Sequence, residues 1–199
     1  MEPAQTVRLS KTLSYILRHG AVKEKLNMRS DGYVALNELL ARPKLKGVTQ
    51  EQVEHVVKTN DKQRFHLKCE DDQWWIRANQ GHSLKVKDMD LELLTDPLET
   101  CIHGTKLVHW NAIKNEGLHK MGRNHIHFSI GLPADASVIS GMRSNSEVFI
   151  YIDMAKAMAD GIKFYRSSNK VILTEGVDGT LQPTYFARVI DCHGQSLLE

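Results

Sequence analysis

Residues 63–78 read "QRFHLKCEDDQWWIRA", and whether this run is a helix or a hairpin decides the class of the chain. Phe65, Leu67 and Cys69 alternate with Arg64, His66 and Lys68, a period of two that fits a strand and not a helix. "EDD" at 70–72 supplies turn residues, and "QWWIRA" a returning strand. The alternation predicts that Phe65, Leu67 and Cys69 point into a core. Arg64, His66 and Lys68 then point outward together, either as an ordinary solvated strand face or as a basic surface.

Upstream of this hairpin the periodicity is helical. Leu9, Leu13, Ile16 and Leu17 follow i, i+4, i+7, i+8, an apolar stripe that ends at Gly20. At 100° per residue Arg18 falls opposite that stripe and His19 on its flank. Two readings of this pair stand side by side. Cations in a last helical turn favour the negative end of the helix dipole, by about 0.3–1 kcal/mol each. An arginine fork also matches a phosphate, and an adjacent histidine can pass a proton. "RSDGYVALNELLA" (29–41) predicts an Asp31-Gly32 turn, a short strand at Tyr33–Ala35 and a short helix. "VTQEQVEHVVKTND" (48–61) predicts a helix capped by Thr49 with Gln52, its Val53, Val56 and Val57 facing inward. Short helices followed by a two-stranded wing describe a winged-helix domain.

Residues 84–97, "LKVKDMDLELLTDP", are rich in charge and end in Pro97, so a domain boundary is expected there, dividing the chain into 1–96 and 97–199. Beyond it short strands and helices alternate. "CIHGTKL" leads from a strand into a helix ending near Gly117, and "NHIHFSI" alternates as a strand. "DASVISGM" reads as a short helix, "EVFIYIDM" as a buried strand and "AKAMADG" as a helix closed by Gly161. "IKFYRSSNKVILTEG" reads as two strands and "TYFARVID" as a last one. The class is α+β. No GxGxxG follows a strand and no GxxxxGK[ST] is present, so neither a Rossmann site nor a P-loop is available.

The 199 residues are 41% apolar and 25% charged, the proportions of a globular protein. No run approaches the roughly 18 apolar residues of a membrane span, and "MEPAQTVRLSKTLSY" does not read as a secretory leader. The three cysteines, Cys69, Cys101 and Cys192, are far apart and form no CxxC, so a reducing compartment, cytoplasm or nucleus, is expected. Residues 1–96 hold 16 Lys and Arg against 14 Asp and Glu, and the rest 10 against 10, so charge alone does not argue for nucleic acid. Five of the ten histidines fall within residues 103–127. His125 and His127 alternate with Ser129 onto one strand face, but no Cys, Asp or Glu follows at ligand spacing, so no metal is expected. In "HGT" (103–105) Thr105 fits a helix cap, or Gly104 admits a ligand against the backbone while His103 and Thr105 bond it. Arg143, ahead of "SEVFIYID", is either simply exposed or projects into a cleft.

Taken in order, "YILRHG", "QRF", "IRANQGHS", "HGT", "RNHIHFS", "SGMR" and "IDMAKAMADGIKFYRSSNKVILT" resemble the NAD-dependent tRNA 2′-phosphotransferases, over roughly residues 9–190. The resemblance implies a winged-helix-like lobe joined to an ADP-ribosyltransferase-like lobe of mixed strands and short helices. It implies an RNA partner, a tRNA bearing an internal 2′-phosphate from splicing, and NAD as a consumed co-substrate. The phosphate would attack the nicotinamide ribose and expel nicotinamide. The ribose 2″-OH would then attack phosphorus, giving 2′-OH RNA and ADP-ribose 1″,2″-cyclic phosphate. By motif the catalytic set would be Arg18, His19, Arg64 and Arg143, with an active site between the lobes. NAD would meet His103, Gly104, Thr105, His127 and Ser129, bordered by Ser168 and Asn169. Arg77, Gln80 and His82 would contact the RNA. Ser144-Asn145 stands where the family commonly has His-Gly, and Lys170 and Ile172 where many members have Gly and Trp. A related activity, NAD-dependent ADP-ribosylation of nucleic-acid terminal phosphates, would share the first step. A bare winged-helix binder would have little use for the second half. With no coiled-coil repeat, a monomer is the expected state.

Overall fold

The first ninety residues build three helices and one small sheet. Helix α1 (Pro3–Tyr15) runs into a wide π-helical turn, Ile16–Gly20. Strand β1 (Val34–Ala35), helices α2 (Leu36–Leu40) and α3 (Gln50–Thr59), and the strands β2 (Phe65–Glu70) and β3 (Gln73–Ala78) follow. This is a computed structural model, which describes residues 1–133 and 142–198. The chain divides into two units, Met1–Asp90 and Leu91–Glu199.

Residues 63–78 form the hairpin that the alternation predicts. Asp71 and Asp72 both take positive φ, 50° and 59°, the geometry of a two-residue hairpin turn. The wing gains a third strand, since β1 pairs with β3 to give the antiparallel order β1-β3-β2. The stripe of α1 packs as expected. Leu13, Ile16 and Leu17 are fully buried and join Val53, Val56, Phe65 and Ile76 in one core, each worth about 1.5–3 kcal/mol by removal from water. Thr49 and Gln52 form the expected reciprocal cap on α3. Val57 is only partly buried against this core.

Two expectations for the hairpin need correction. Cys69 is exposed: it stands one residue short of the turn's flank, opposite Trp74, and it is Trp74 that packs partly against the core there. Nor do Arg64, His66 and Lys68 share an open basic face. Arg64 precedes the strand and bonds back to Asn60. His66 Nδ1 meets the Tyr33 hydroxyl at 2.7 Å, and Lys68 Nζ and Arg77 Cζ lie 4.1 and 4.7 Å from the Tyr33 ring centre. Glu70 pairs with Lys68 and Arg29, so the face neutralises its own charge. Burial pushes the Tyr33 phenol up and the His66 imidazole down. Both shifts make the phenol the donor and Nδ1 the acceptor.

The second unit starts earlier than the composition suggests. Leu91–Leu93 forms a strand, β4, rather than linker. Strands β5 (Ile102–Thr105), β6 (Leu118–His119), β7 (Ile126–Phe128), β8 (Val148–Ile152), β9 (Phe164–Ser167), β10 (Ile172–Thr174), β11 (Thr180–Leu181) and β12 (Phe186–Asp191) follow. They are interleaved with helices α4 (Leu107–Glu116) and α5 (Met154–Ala159). All pairings are antiparallel, in sheets ordered β4-β9-β10-β7, β12-β8-β5 and β11-β6. The division at Asp90/Leu91 follows because Leu91 and Leu93 pair with Ser167 and Tyr165. A three-residue edge strand carrying a central glutamate leaves no periodic signal. Reciprocal backbone bonds of 2.8 Å between Ile102 and Ser129 join the two larger sheets. Phe128, Ile150, Phe164 and Ile172 lie in the core beneath them. The structure is thus α+β, with small antiparallel sheets and short helices in both units. Among the described residues no helix is long and apolar enough to cross a membrane. The helix expected over 135–142 lies, except for Met142, outside the described residues.

Candidate active site

Arg18 and His19 occupy the wide turn at the end of α1. The 100° step therefore does not hold for them, since a π turn takes more residues than an α turn. The Tyr15 ring fixes the close of the turn. A β-carbon on Gly20 would stand only 2.9 Å from Tyr15 Cε1, so no larger residue fits there without displacing the ring. Arg18 and His19 are held by the segment that leaves β3. The Arg18 carbonyl accepts the N–H groups of Ser83 at 3.0 Å and Leu84 at 3.3 Å. The Arg18 guanidinium packs on Gly81, where φ is +87° and a β-carbon would be 3.3 Å from Cζ. His19 Nδ1 lies 2.8 Å from Ser83 Oγ.

The same segment reaches Arg64. Asn79 donates its N–H to the Arg64 carbonyl at 2.8 Å and its side-chain amide to Gln63 O at 2.7 Å. Asn60, just past α3, accepts from the backbone and from Nη1 of Arg64, both at 3.1 Å. Arg64 lines a groove of about 400 Å³ together with Lys11, Ser14 and Val56. Residues 79–84 therefore touch the Arg18 and His19 side chains and the Arg64 backbone, joining two stretches far apart in the sequence. Of the residues expected to contact RNA, Gln80 and His82 are buried, and Arg77 is buried with Nη2 3.3 Å from Asp90. Ser83 was not among the expected site residues. Its only sequence signal is its place in "QGHS", where it reads as a turn residue.

In the second unit β5 carries His103, Gly104 and Thr105 beside the segment that bears Arg143. The Thr105 carbonyl accepts the Glu147 N–H at 2.8 Å. The Glu147 carboxylate accepts the Leu107 N–H at 3.0 Å, at the start of α4. Ser146 ties the loop by donating from N–H and Oγ to the Arg143 carbonyl at 3.1 and 2.8 Å. The space above Gly104 is taken by Met142 and Ser146, so in this structure the glycine admits a protein side chain rather than leaving a gap. His103 donates from Nδ1 to the His127 carbonyl at 2.8 Å, which fixes the tautomer and turns Nε2 to the other side. Burial holds its pKa below the ordinary value, opposed by that hydrogen bond and helped by the charge of Arg123.

Arg123 is a second residue that sequence reasoning passed over. Burial and the charge of Arg143 lower its pKa. Two guanidiniums that repel each other in this way are poised for an anion. Of the expected strand face, only His127 lies within β7. His125 precedes it with its ring against Tyr165, at 6.2 Å between centres. Ser129 is buried, donating from Oγ to Gly131 O at 2.8 Å. The register of Ile172 opposite Phe128 brings the β9–β10 turn alongside Ser129. There Asn169 is buried 2.7 Å from Ser167 Oγ, while Ser168 is exposed. Among the described residues no three His, Cys, Asp or Glu side chains gather as a metal site requires.

Comparison with known proteins agrees with the motif order. The chain is 49% identical over 195 residues to tRNA 2′-phosphotransferase 1 of Danio rerio, spanning 94% of this chain and 86% of the relative. It is 49% identical to tRNA 2′-phosphotransferase 1 of Homo sapiens, spanning 95% and 77%. It is 44% identical to the tRNA 2′-phosphotransferase of Saccharomyces cerevisiae, spanning 86% and 79%. The model of the RNA 2′-phosphotransferase family, Tpt1/KptA, matches residues 4–176. This chain belongs to the RNA 2′-phosphotransferase family.

Proposed function

We propose that the protein removes an internal 2′-phosphate from RNA, with spliced tRNA as substrate, by transferring it to NAD. Nicotinamide and ADP-ribose 1″,2″-cyclic phosphate are released. The observation that carries this reading is the convergence of Arg18, His19 and Arg64 on residues 79–84 in a chain of this family. The short helices and hairpin of the first unit support a winged-helix-like reading of it, and the mixed strands of the second an ADP-ribosyltransferase-like one.

The chemistry asks for cations more than for a metal. In the first step a 2′-phosphate oxygen bonds to C1″ of the nicotinamide ribose while the C1″–N bond breaks. Phosphate and dinucleotide are both anions, and Arg18, Arg64 and Arg143 offer guanidiniums to neutralise them. In the second step the ribose 2″-oxygen attacks phosphorus and the bond to the RNA 2′-oxygen breaks. The proton that leaves the 2″-hydroxyl must reach the RNA oxygen, and His19 serves that transfer. The residues of the second unit fit a dinucleotide in their donor set: His103 with its tautomer fixed, the Thr105 and Ser168 hydroxyls, and the charges of Arg123 and Arg143.

Incubating the protein with NAD and a 2′-phosphorylated oligonucleotide tests the reading. It requires NAD-dependent loss of the 2′-phosphate and appearance of the cyclic product. An ADP-ribosyl group retained on the nucleic acid would support terminal-phosphate ADP-ribosylation instead. Absence of NAD consumption would overturn both.

A further inference from the structure

Ser83 stands where His19 must be steered. Its backbone is pinned by the bond from its N–H to the Arg18 carbonyl, 3.0 Å, and Leu84 donates to the same oxygen at 3.3 Å. The hydroxyl is therefore held relative to the turn that carries His19. Ser83 Oγ lies 2.8 Å from His19 Nδ1 and 3.4 Å from the Arg18 carbonyl oxygen. The Tyr15 ring stands beside the imidazole, with 6.4 Å between centres and a tilt of 53°. His19 is exposed, so these neighbours, rather than a packed core, set the direction of its ring.

We infer that Ser83 is a positioning residue for His19: it engages Nδ1 and makes Nε2 the nitrogen that meets the reacting phosphate. This rests on the reading of the protein as a 2′-phosphotransferase. A serine suits the place for a specific reason. A hydroxyl is both donor and acceptor, and its hydrogen rotates. In the neutral tautomer with its proton on Nε2, the hydroxyl donates to Nδ1. When Nε2 is bare and ready to accept a proton, Nδ1–H donates to Oγ and the hydroxyl turns toward the Arg18 carbonyl. The contact thus persists through both states, so the ring need not swing during the reaction. An amide or carboxylate would favour one state. An alanine would favour neither and leave the ring to rotate.

Five proteins decide this: wild type, Ser83→Ala, Ser83→Thr, His19→Ala and the double variant His19→Ala with Ser83→Ala. Release of 2′-phosphate from a 2′-phosphorylated oligonucleotide with NAD is followed across RNA concentrations. Ser83→Ala lowers kcat about tenfold or more with KM for the RNA nearly unchanged, and Ser83→Thr restores most of it. In the His19→Ala background the serine change adds nothing, because its effect passes through the histidine. An equal loss in both backgrounds, or no loss in either, overturns the proposal. A readout free of turnover is the ¹⁵N spectrum of His19 in full-length protein. Nδ1 is hydrogen-bonded in wild type and Ser83→Thr and loses that signature in Ser83→Ala. An unchanged spectrum overturns the proposal even if Ser83→Ala is slow. If wild type itself leaves the 2′-phosphate in place, the functional reading fails and the spectrum still decides the role of Ser83. If Ser83→Ala does not fold, a wild-type spectrum without a bonded Nδ1 counts against the proposal, and one with it, retained in Ser83→Thr, supports it.

Discussion

Asn60 grips Arg64 twice with one oxygen. Oδ1 accepts the backbone N–H and Nη1–H, both at 3.1 Å, while Nδ2 donates to Ser10 Oγ at 3.2 Å on α1. The amide thereby couples the end of α3, the body of α1 and the guanidinium. Asp61, 3.6 Å from Nη1, is largely exposed and adds little. Asn60→Ala is expected to lower turnover about tenfold by loosening Arg64 and stability by about 1–2 kcal/mol. Asn60→Asp keeps the acceptor oxygen and is expected to retain more of the turnover. Turnover assays with thermal melts on the two variants check this, and equal losses in both would refute it.

Arg18 is expected to tolerate no substitute. Arg18→Ala should abolish 2′-phosphate removal while stability stays within about 1 kcal/mol of wild type, since the core stripe of α1 is untouched. Arg18→Lys should not rescue it, because a point charge does not reproduce the planar fork that lies on Gly81. Near-normal product release by either variant would remove Arg18 from the site.

Gly104→Ala tests how the second unit holds Arg143. The added methyl would meet the Met142 side chain and Ser146 Oγ, so the loop must shift. The expected result is a stability loss of about 1–3 kcal/mol from overpacking. Activity should fall out of proportion to it. A variant with normal melting and normal turnover would show that the loop position is immaterial.

Arg123→Ala relieves the repulsion on Arg143 and removes one cation from the anion-binding set. KM for NAD should rise about tenfold, as expected for one charge-assisted contact of about 1.5 kcal/mol, with kcat less affected. A change confined to KM for the RNA would assign Arg123 to the other substrate.

Acid should destabilise the fold through its histidines. His103, His125 and His66 all have pKa values held below the ordinary 6.5, chiefly by burial. The unfolded chain therefore takes up protons first as pH falls. Stability is full above about 6.5 and declines below it until the folded pKa is reached. Melting temperature measured from pH 7.5 to 5 should drop, and His66→Gln should flatten the curve by its own share. A melting temperature that rises on acidification would contradict the burial of these rings.

The sequence by itself determined the α+β class, the hairpin at 63–78, the capped helix α3 and the order of the motifs. Each is written in local periodicity or in spacing along the chain: a period of two, an i, i+4 stripe, a Thr–Gln cap. Tertiary structure alone decided what those motifs touch. No rule of spacing announces that the carbonyl of Arg18 accepts from Ser83, or that Asn60 reaches across to both Ser10 and Arg64. Those bonds join residues far apart in the chain, and their geometry is set by core packing. The wide turn at Ile16–Gly20 was illegible for a related reason. It keeps the apolar stripe of an α-helix, and only the seating of Tyr15 against Gly20 and of residues 83–84 on Arg18 shows how it is held. Charge follows the same rule: sequence counts Lys68 and Arg77 as cations, and the fold decides that Glu70 and Asp90 neutralise them while the charge of Arg143 lowers the pKa of Arg123.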